Sequence, residues 1–195
     1  MENFNLIIPE IFLALSIFVT LLIGVFFKNS YNLVTNLTYV VIVSLLLIIF
    51  NSFNESGNLF SNSFTSNSFI NFFKILILLG TLFVMLITQN FIKEMKINYF
   101  EYPLLLLFSV LGMFFMISSN DLMSFYLGLE LQSLALYILA SIDRDNLKSN
   151  ESGIKYFILS ALSSGLLLYG CCLLYTSDAA DDSLRVDLGG RRIIK

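Results

Sequence analysis

The sequence predicts an all-α protein, a polytopic transmembrane bundle of about six helices with its N-terminus outside the membrane. Three observations predict it: the composition, the length of the apolar stretches, and the distribution of the basic residues. Hydrophobic residues make up 57% of the 195 residues, charged residues only 13%, and the mean hydropathy is +0.83. A soluble domain of this size would need far more polar residues to cover its surface.

Six apolar stretches are long enough to cross a hydrocarbon core as helices, which takes about 20 residues. They cover approximately residues 6–27, 33–50, 70–91, 102–118, 122–142 and 154–175. The sequence lacks the segments of about ten alternating residues that are typical of an outer-membrane barrel. Helices are therefore the better way to satisfy the backbone in lipid.

The basic residues between these stretches predict the orientation. They lie in the first, third and fifth connections, whereas the N-terminus and the second and fourth connections carry none; the residues are Lys28, Lys93, Lys96, Arg144 and Lys148. Because cytoplasmic connections carry the excess of Lys and Arg, the N-terminus is expected to face outward.

The start of the first stretch and the connection between the second and third stretches support further predictions. An acidic residue and no basic residue precede the first stretch, so we expect its helix to be kept rather than removed as a signal peptide. Pro9 fits the first turn of that helix, where a missing N–H costs nothing. Residues 51–68, rich in Asn and Ser, are expected to form an outer loop.

Several cofactor sites are excluded or disfavoured by composition. The chain has no His, so haem ligation through His is excluded, and it has neither GxGxxG nor GxxxxGK[ST] for a nucleotide. Cys171 and Cys172 are adjacent in an apolar stretch, which is typical of buried small residues rather than of a zinc or iron–sulfur site. We therefore expect no cofactor in this chain.

Glu130 is the most informative residue, because it lies nine residues into an apolar stretch of about 21. Charges inside a membrane are costly and mark functional sites by default. Tyr126, Ser133, Tyr137 and Ser141 share its helical face, at offsets of −4, +3, +7 and +11. The tyrosines and serines alone are equally consistent with interfacial anchoring and close helix packing. Glu130 itself indicates a group that takes up and releases protons.

Two lysines are candidates for a partner of Glu130 or for further proton-binding groups, here called stations, on the same pathway. Lys155 enters the sixth stretch near its inner edge, whereas Glu130 lies roughly 18 Å above that edge at 1.5 Å per residue, so we expect no direct contact. Lys155 either snorkels to the inner surface or forms a lower station. Ser160 and Ser164 offer hydroxyls or simply small-residue packing. Lys74, near the outer start of the third helix, is expected to snorkel outward or to rank low in a proton path.

Residues 103–175 closely resemble subunit N of bacterial NADH-quinone oxidoreductase, which is subunit 2 of mitochondrial complex I. The motifs that carry the resemblance are LGLELQSLALYILA, residues 127–140, and GIKYFILSALSSGLLLYG, residues 153–170. FFKILILL, residues 72–79, looks like the third helix of that family. The resemblance implies a proton-pathway role for Glu130, a lesser one for Lys155 and the least for Lys74.

The same resemblance implies the cofactors, partners and location. Quinone, FMN and iron–sulfur clusters would lie in partner subunits, and the partners would be other membrane subunits of complex I and the lipid bilayer, without nucleic acid. The family has about fourteen helices and pairs the fifth-helix Glu with a seventh-helix Lys, so we expect the partner of Glu130 to be absent from these residues. The resemblance to bacterial forms favours a bacterial cytoplasmic membrane as the location. The alternative is the mitochondrial inner membrane.

Three further expectations concern the chain end and the function. Residues 176–195 hold eight charges in 20 residues and resemble translated vector sequence, so we expect a foreign, disordered tail after a native part of residues 1–175. The favoured function is a proton-translocating subunit of respiratory complex I. The alternatives are a membrane subunit of an Mrp-type cation/proton antiporter and a structural membrane subunit without transport.

Overall fold

Six α-helices and one short β-hairpin make up the part of the chain that the computed structural model describes, residues 4–27, 31–60, 62–95 and 100–190. After a 3-10 helix (Phe4–Ile7) come α1 (Ile8–Phe26), α2 (Tyr31–Asn51), β1 (Gly57–Leu59), β2 (Phe64–Ser66), α3 (Ser68–Met95), α4 (Glu101–Ser118), α5 (Leu122–Ala140) and α6 (Leu147–Gly190). All six α-helices are long and apolar enough to cross a membrane, which confirms the predicted bundle. Pro9 lies in the first turn of α1, as predicted.

The chain divides into two compact units, Met1–Phe157 and Ile158–Lys195. The first unit contains α1 to α5, the hairpin and the beginning of α6. The second contains the rest of α6. All the tertiary contacts that carry the argument below lie within the first unit.

α4 is the central helix of the first unit. It packs against α1, α2, α3 and α5, and half of its residues are buried. The buried apolar cluster around it comprises Leu13, Ile17, Ile42, Leu45, Ile49, Leu78, Leu104, Leu107, Val110, Leu111 and Phe114. In lipid, close van der Waals packing rather than removal of surface from water holds such helices together.

The opposite faces of the helices carry large apolar side chains that point away from this cluster. Leu15 and Phe18 on α1 are each 61% exposed, and Phe50 on α2 is 77% exposed. On α1 they alternate at helical spacing with the buried Leu13 and Ile17. A helix that is apolar on its exposed face as well as its buried face suits lipid rather than water.

Residues 51–68, expected to form an outer loop, contain the short β-hairpin. β1 pairs antiparallel with β2, from Gly57 opposite Ser66 to Leu59 opposite Phe64. Phe60 and Asn62 have positive φ angles of 51° and 77°, so the turn uses the left-handed region, which Asn adopts more readily than most residues. Turn-forming residues predicted a reversal here, but not the strand pairing that the neighbouring helices support.

Tertiary contacts hold the hairpin at the end of the bundle where α4 ends and α5 begins. Phe64 forms an isolated bridge with Ser119, and the backbone N–H of Asn120 donates to the carbonyl of Ser63 at 2.9 Å. The side-chain amide of Asn120 donates to the carbonyl of Asn62 at 2.9 Å. The hairpin is therefore fixed to the connection between α4 and α5.

The helix bounds differ from the prediction mainly at α6. It begins at Leu147, seven residues before the apolar stretch, and continues to Gly190. Residues 176–190 belong to this helix. Ala179, Ala180, Leu184 and Arg185 favour the continuation of a helix that has already formed. Residues 191–195 lie outside the described residues. The foreign origin of the tail stays a prediction.

Candidate functional site

Two glycines bring α4 and α5 into close contact and fix the position of Glu130. A Cβ on Gly112 would lie 2.6 Å from the backbone N of Gln132 and 2.8 Å from the carbonyl O of Gly128. A Cβ on Gly128 would lie 2.8 Å from the backbone N of Met116. Only glycine lets two helix backbones approach this closely. Glu130 therefore stands on a helix whose height and rotation are set by direct backbone packing.

The Glu130 side chain is partly buried at the middle of α5. Its Oε1 atom is buried and has no hydrogen-bond partner among the described residues. A buried polar atom without a partner is costly in a purely structural position, so it marks Glu130 as a candidate functional group.

The polar residues on the Glu130 face do not bind its carboxylate. The hydroxyl of Ser133 donates to the backbone carbonyl of Glu130 at 2.9 Å, and that of Ser141 donates to the carbonyl of Tyr137 at 3.3 Å. The Tyr137 ring packs edge-on against Tyr156, with centroids 5.1 Å apart. These contacts favour the packing interpretation for Ser133, Tyr137 and Ser141. Tyr126 is half-buried on the same face.

Lys155 binds a residue of its own helix. Its Nζ atom lies 2.6 Å from Oε1 of Glu151, one turn earlier, and the two side chains are 69% and 64% exposed. The ion pair that Lys155 makes in the described part of the chain is thus with Glu151 and not with Glu130. In the second unit, the hydroxyl of Ser164 donates to the carbonyl of Ala161, and Ser160 is half-buried.

Lys74 is buried rather than directed outward, so the expected snorkelling is wrong. Its side chain is 0% exposed, and its Nζ atom lies 2.5 Å from Oε1 of Glu10 on α1. The rings of Phe64 and Phe114 lie 5.6 and 5.8 Å from the same Nζ atom. An acidic partner and two aromatic faces replace water around the ammonium group, and this removes the reason to snorkel.

Glu10 is the functional candidate that sequence reasoning missed. Its side chain is 1% exposed, and the hydroxyl of Ser118 donates to Oε1 at 3.4 Å. The other carboxyl oxygen, Oε2, is buried without a hydrogen-bond partner among the described residues. A signal did exist: Glu10 is the only acid in the first apolar stretch and Lys74 the only charge in the third, both near the outer end.

The described residues therefore hold two separate ionisable centres inside membrane helices. One is Glu130 on α5, and the other is the Glu10–Lys74 pair between α1 and α3. No group of three or more His, Cys, Asp or Glu side chains comes together there. Carboxyl and ammonium groups placed in this way can hold and exchange protons.

The fold and these two centres define a polytopic helical membrane protein with ionisable residues inside its membrane helices. Residues 119–186 match the family model described as the transmembrane part of NADH:quinone oxidoreductase and Mrp antiporters. The chain is 55% identical over 176 residues to NADH-quinone oxidoreductase subunit N of Pelagibacter ubique, and 50% identical over 171 residues to that of Bartonella bacilliformis. Over these residues the chain is similar to subunit N.

A solved structure agrees with the sequence relationship. The chain is similar to one from the respiratory complex I of Thermus thermophilus with bound aureothin, with a TM-score of 0.73, 26% identity and coverage of 86% of this chain. The alignments with the Pelagibacter and Bartonella relatives cover 90% and 87% of this chain. The chain spans 37% and 35% of the length of those relatives and 36% of the Thermus chain.

Proposed function

We propose that this chain acts in a proton-translocating NADH-quinone oxidoreductase, as part of a membrane subunit in which Glu130 carries protons. The observation that carries the proposal is the buried, unpartnered Oε1 atom of Glu130 in the middle of α5. The similarity to subunit N supplies the reaction. NADH oxidation and quinone reduction would take place in partner subunits, where the quinone, FMN and iron–sulfur clusters would lie.

Glu130 would work by changing its charge. A cation that approaches the carboxylate stabilises the charged form and releases a proton, and a cation that moves away favours proton uptake. Quinone reduction elsewhere in the assembly would move such a cation through a chain of charged groups, which couples the two sites. Lys155 would serve as a lower station near the inner surface. Tyr126, one helical turn before Glu130 on the same face of α5, would line the route.

The membrane and the partners follow from the same proposal. Both relatives named above are bacterial, so the proposed location is the bacterial cytoplasmic membrane, with the mitochondrial inner membrane as the alternative. The exposed apolar faces of α1 to α5 would contact lipid and neighbouring membrane subunits of the same complex. The electron-transfer subunits would bind elsewhere in the assembly.

The test uses a hybrid enzyme, defined here as the Bartonella bacilliformis oxidoreductase in which residues 1–175 of this chain replace the matching part of subunit N. In this hybrid, Glu130→Gln removes the charge and the exchangeable proton while it keeps the shape of the side chain. We expect normal assembly and a clear loss of protons translocated per NADH. Proton release is measured in sealed membrane vesicles together with the rate of NADH oxidation.

A matched control separates this effect from a general loss of acidic charge. Glu55 is exposed on the connection between α2 and the hairpin, and Glu55→Gln should leave proton release unchanged. Full proton release by an assembled Glu130→Gln enzyme would contradict the proposal. It would favour the third interpretation, a structural membrane subunit.

The matching family model also covers Mrp antiporters, and this favours a cation/proton antiporter subunit as the second candidate. The two functions differ in the ion they move and in the need for NADH. An antiporter would exchange protons for sodium in vesicles without any electron donor. Sodium-dependent proton movement that disappears in Glu130→Gln would support the antiporter.

A further inference from the structure

The Glu10–Lys74 pair differs from the other ion pairs in the described residues by its burial. Arg144–Glu101 and Lys155–Glu151 have side chains that are between 35% and 71% exposed, whereas those of Lys74 and Glu10 are 0% and 1% exposed. Ion pairs at the surface contribute little to stability, because water and salt screen their charges. The buried pair is isolated from water. It joins α1 to α3 through two residues that are 64 positions apart in sequence.

The environment of the pair leaves one carboxyl oxygen available for a proton. Lys74 Nζ donates to Oε1 of Glu10, and Ser118 donates to the same oxygen. Oε2 has no donor among the described residues. The aromatic rings of Phe64 and Phe114 cover the ammonium group. The charge is therefore balanced, but the hydrogen bonds of the carboxylate are incomplete.

Stability alone is a weak reason for such a pair. The desolvation of two charges offsets most of their attraction, and well-packed apolar residues of similar volume often stabilise a fold equally well. The pair also has a neutral state, in which one proton of the Lys74 ammonium group has moved to Glu10. Breaking one N–H bond of Lys74 and forming an O–H bond on Glu10 converts one state to the other without a change in net charge.

The pair lies at the end of the bundle that the basic residues assign to the outside. Glu10 is in the first turn of α1, Ser118 is the last residue of α4, and Phe64 of the hairpin lies against Lys74. We propose that Glu10 and Lys74 form an outer proton-holding pair, in which Lys74 passes a proton to Glu10 for release to the outer side. This rests on the proposed function and adds a second centre to it.

The pair is a separate station from Glu130. Gly128 on α5 packs against Gly112 and Met116 of α4, and Phe114, between these two in sequence, lies 5.8 Å from Lys74 Nζ. α4 therefore contacts the two centres through different residues, Phe114 for Lys74 and Gly112 with Met116 for the part of α5 just before Glu130. The hydrogen bonds of the pair involve Glu10, Lys74 and Ser118 and not Glu130, so each centre can be changed separately.

The experiment neutralises the pair without leaving an unpaired charge inside the protein. In the hybrid enzyme, the double variant Glu10→Gln/Lys74→Met keeps the volume of both side chains and removes both exchangeable protons. We expect normal assembly and NADH oxidation with fewer protons released per NADH. Lys74→Arg is the second variant, because Arg keeps the ion pair but does not give up its proton. It should assemble and show the same loss.

The outcomes separate this proposal from the one on which it rests. If Glu130→Gln loses proton release while both pair variants keep it, the outer pair is only structural and this inference is overturned. If Glu130→Gln also keeps full release, the proposed function itself fails. Failure of both pair variants to assemble, with Glu55→Gln assembled normally, would likewise overturn this inference in favour of a structural role.

Discussion

Lys74 and Lys155 have the same side chain and an acidic partner at similar distance, yet their surroundings give them different roles. Lys74 is enclosed by Glu10 and two aromatic rings, whereas Lys155 and Glu151 are mostly exposed at the surface of α6. Removing one member of a buried pair leaves the other charge without compensation. Removing one member of an exposed pair returns the other to solvent.

This difference predicts the stability of two matched variants of the chain. Lys74→Met should lower the free energy of unfolding by about 3–5 kcal/mol, because it strands the Glu10 carboxylate in the interior. Lys155→Met should lower it by about 1 kcal/mol or less. Both are measured by unfolding titrations in mixed detergent micelles. Equal effects of the two substitutions would contradict the burial of Lys74.

α4 and α5 form the most extensive contact between two elements in the described residues, and their close approach depends on glycine. The backbone of α5 occupies the space that a Cβ on Gly112 would need, so a methyl group forces the helices apart. Gly80 on α3 is also inside a helix, but nothing lies within 4 Å of the position of its Cβ. The two glycines therefore differ in packing and not in local conformation.

Gly112→Ala is predicted to destabilise the chain by about 1–3 kcal/mol through overpacking. Gly80→Ala is the control and should stabilise it by about 0.5–1 kcal/mol, because Ala loses less conformational entropy in a helix. The same detergent unfolding titration measures both. A Gly112→Ala variant as stable as Gly80→Ala would show that α4 and α5 pack less closely than described here.

The length of the apolar stretches was sufficient to predict all six helices. It did not predict which elements contact each other. Pairing of Glu10 with Lys74 depends on α1 and α3 both lying beside α4, which no local pattern encodes. The hairpin depends on Ser119 and Asn120, more than 50 residues further along the chain. Glu130 was found because a charge inside an apolar stretch is visible in the sequence itself.

For the molecule as a whole, orientation in the membrane decides which centre faces which side. Lys28 and Lys96 lie outside the described residues, whereas Arg144 and Lys148 lie on the connection into α6 and at its start. If these positive charges face the cytoplasm, the hairpin and the Glu10–Lys74 pair are near the outer surface. The proposed direction of proton release depends on this arrangement.

Cysteine labelling in cells with the hybrid enzyme tests the orientation. With Cys171 and Cys172 replaced by Ser, a membrane-impermeant maleimide should label Glu55→Cys in intact cells and Asp145→Cys only after the membrane is opened. Both positions are exposed in the structure, so reagent access depends on the side of the membrane. Labelling of Asp145→Cys alone in intact cells would reverse the predicted topology.

The proton-carrying role of Glu130 is tested most directly by the number of protons translocated per NADH when this residue is changed in the hybrid enzyme. We expect Glu130→Gln, once assembled, to oxidise NADH with a reduced proton yield. Glu130→Asp keeps a carboxyl group at that position and should retain more of the yield. Equal and undiminished proton yields from both variants would contradict a proton-carrying role for Glu130.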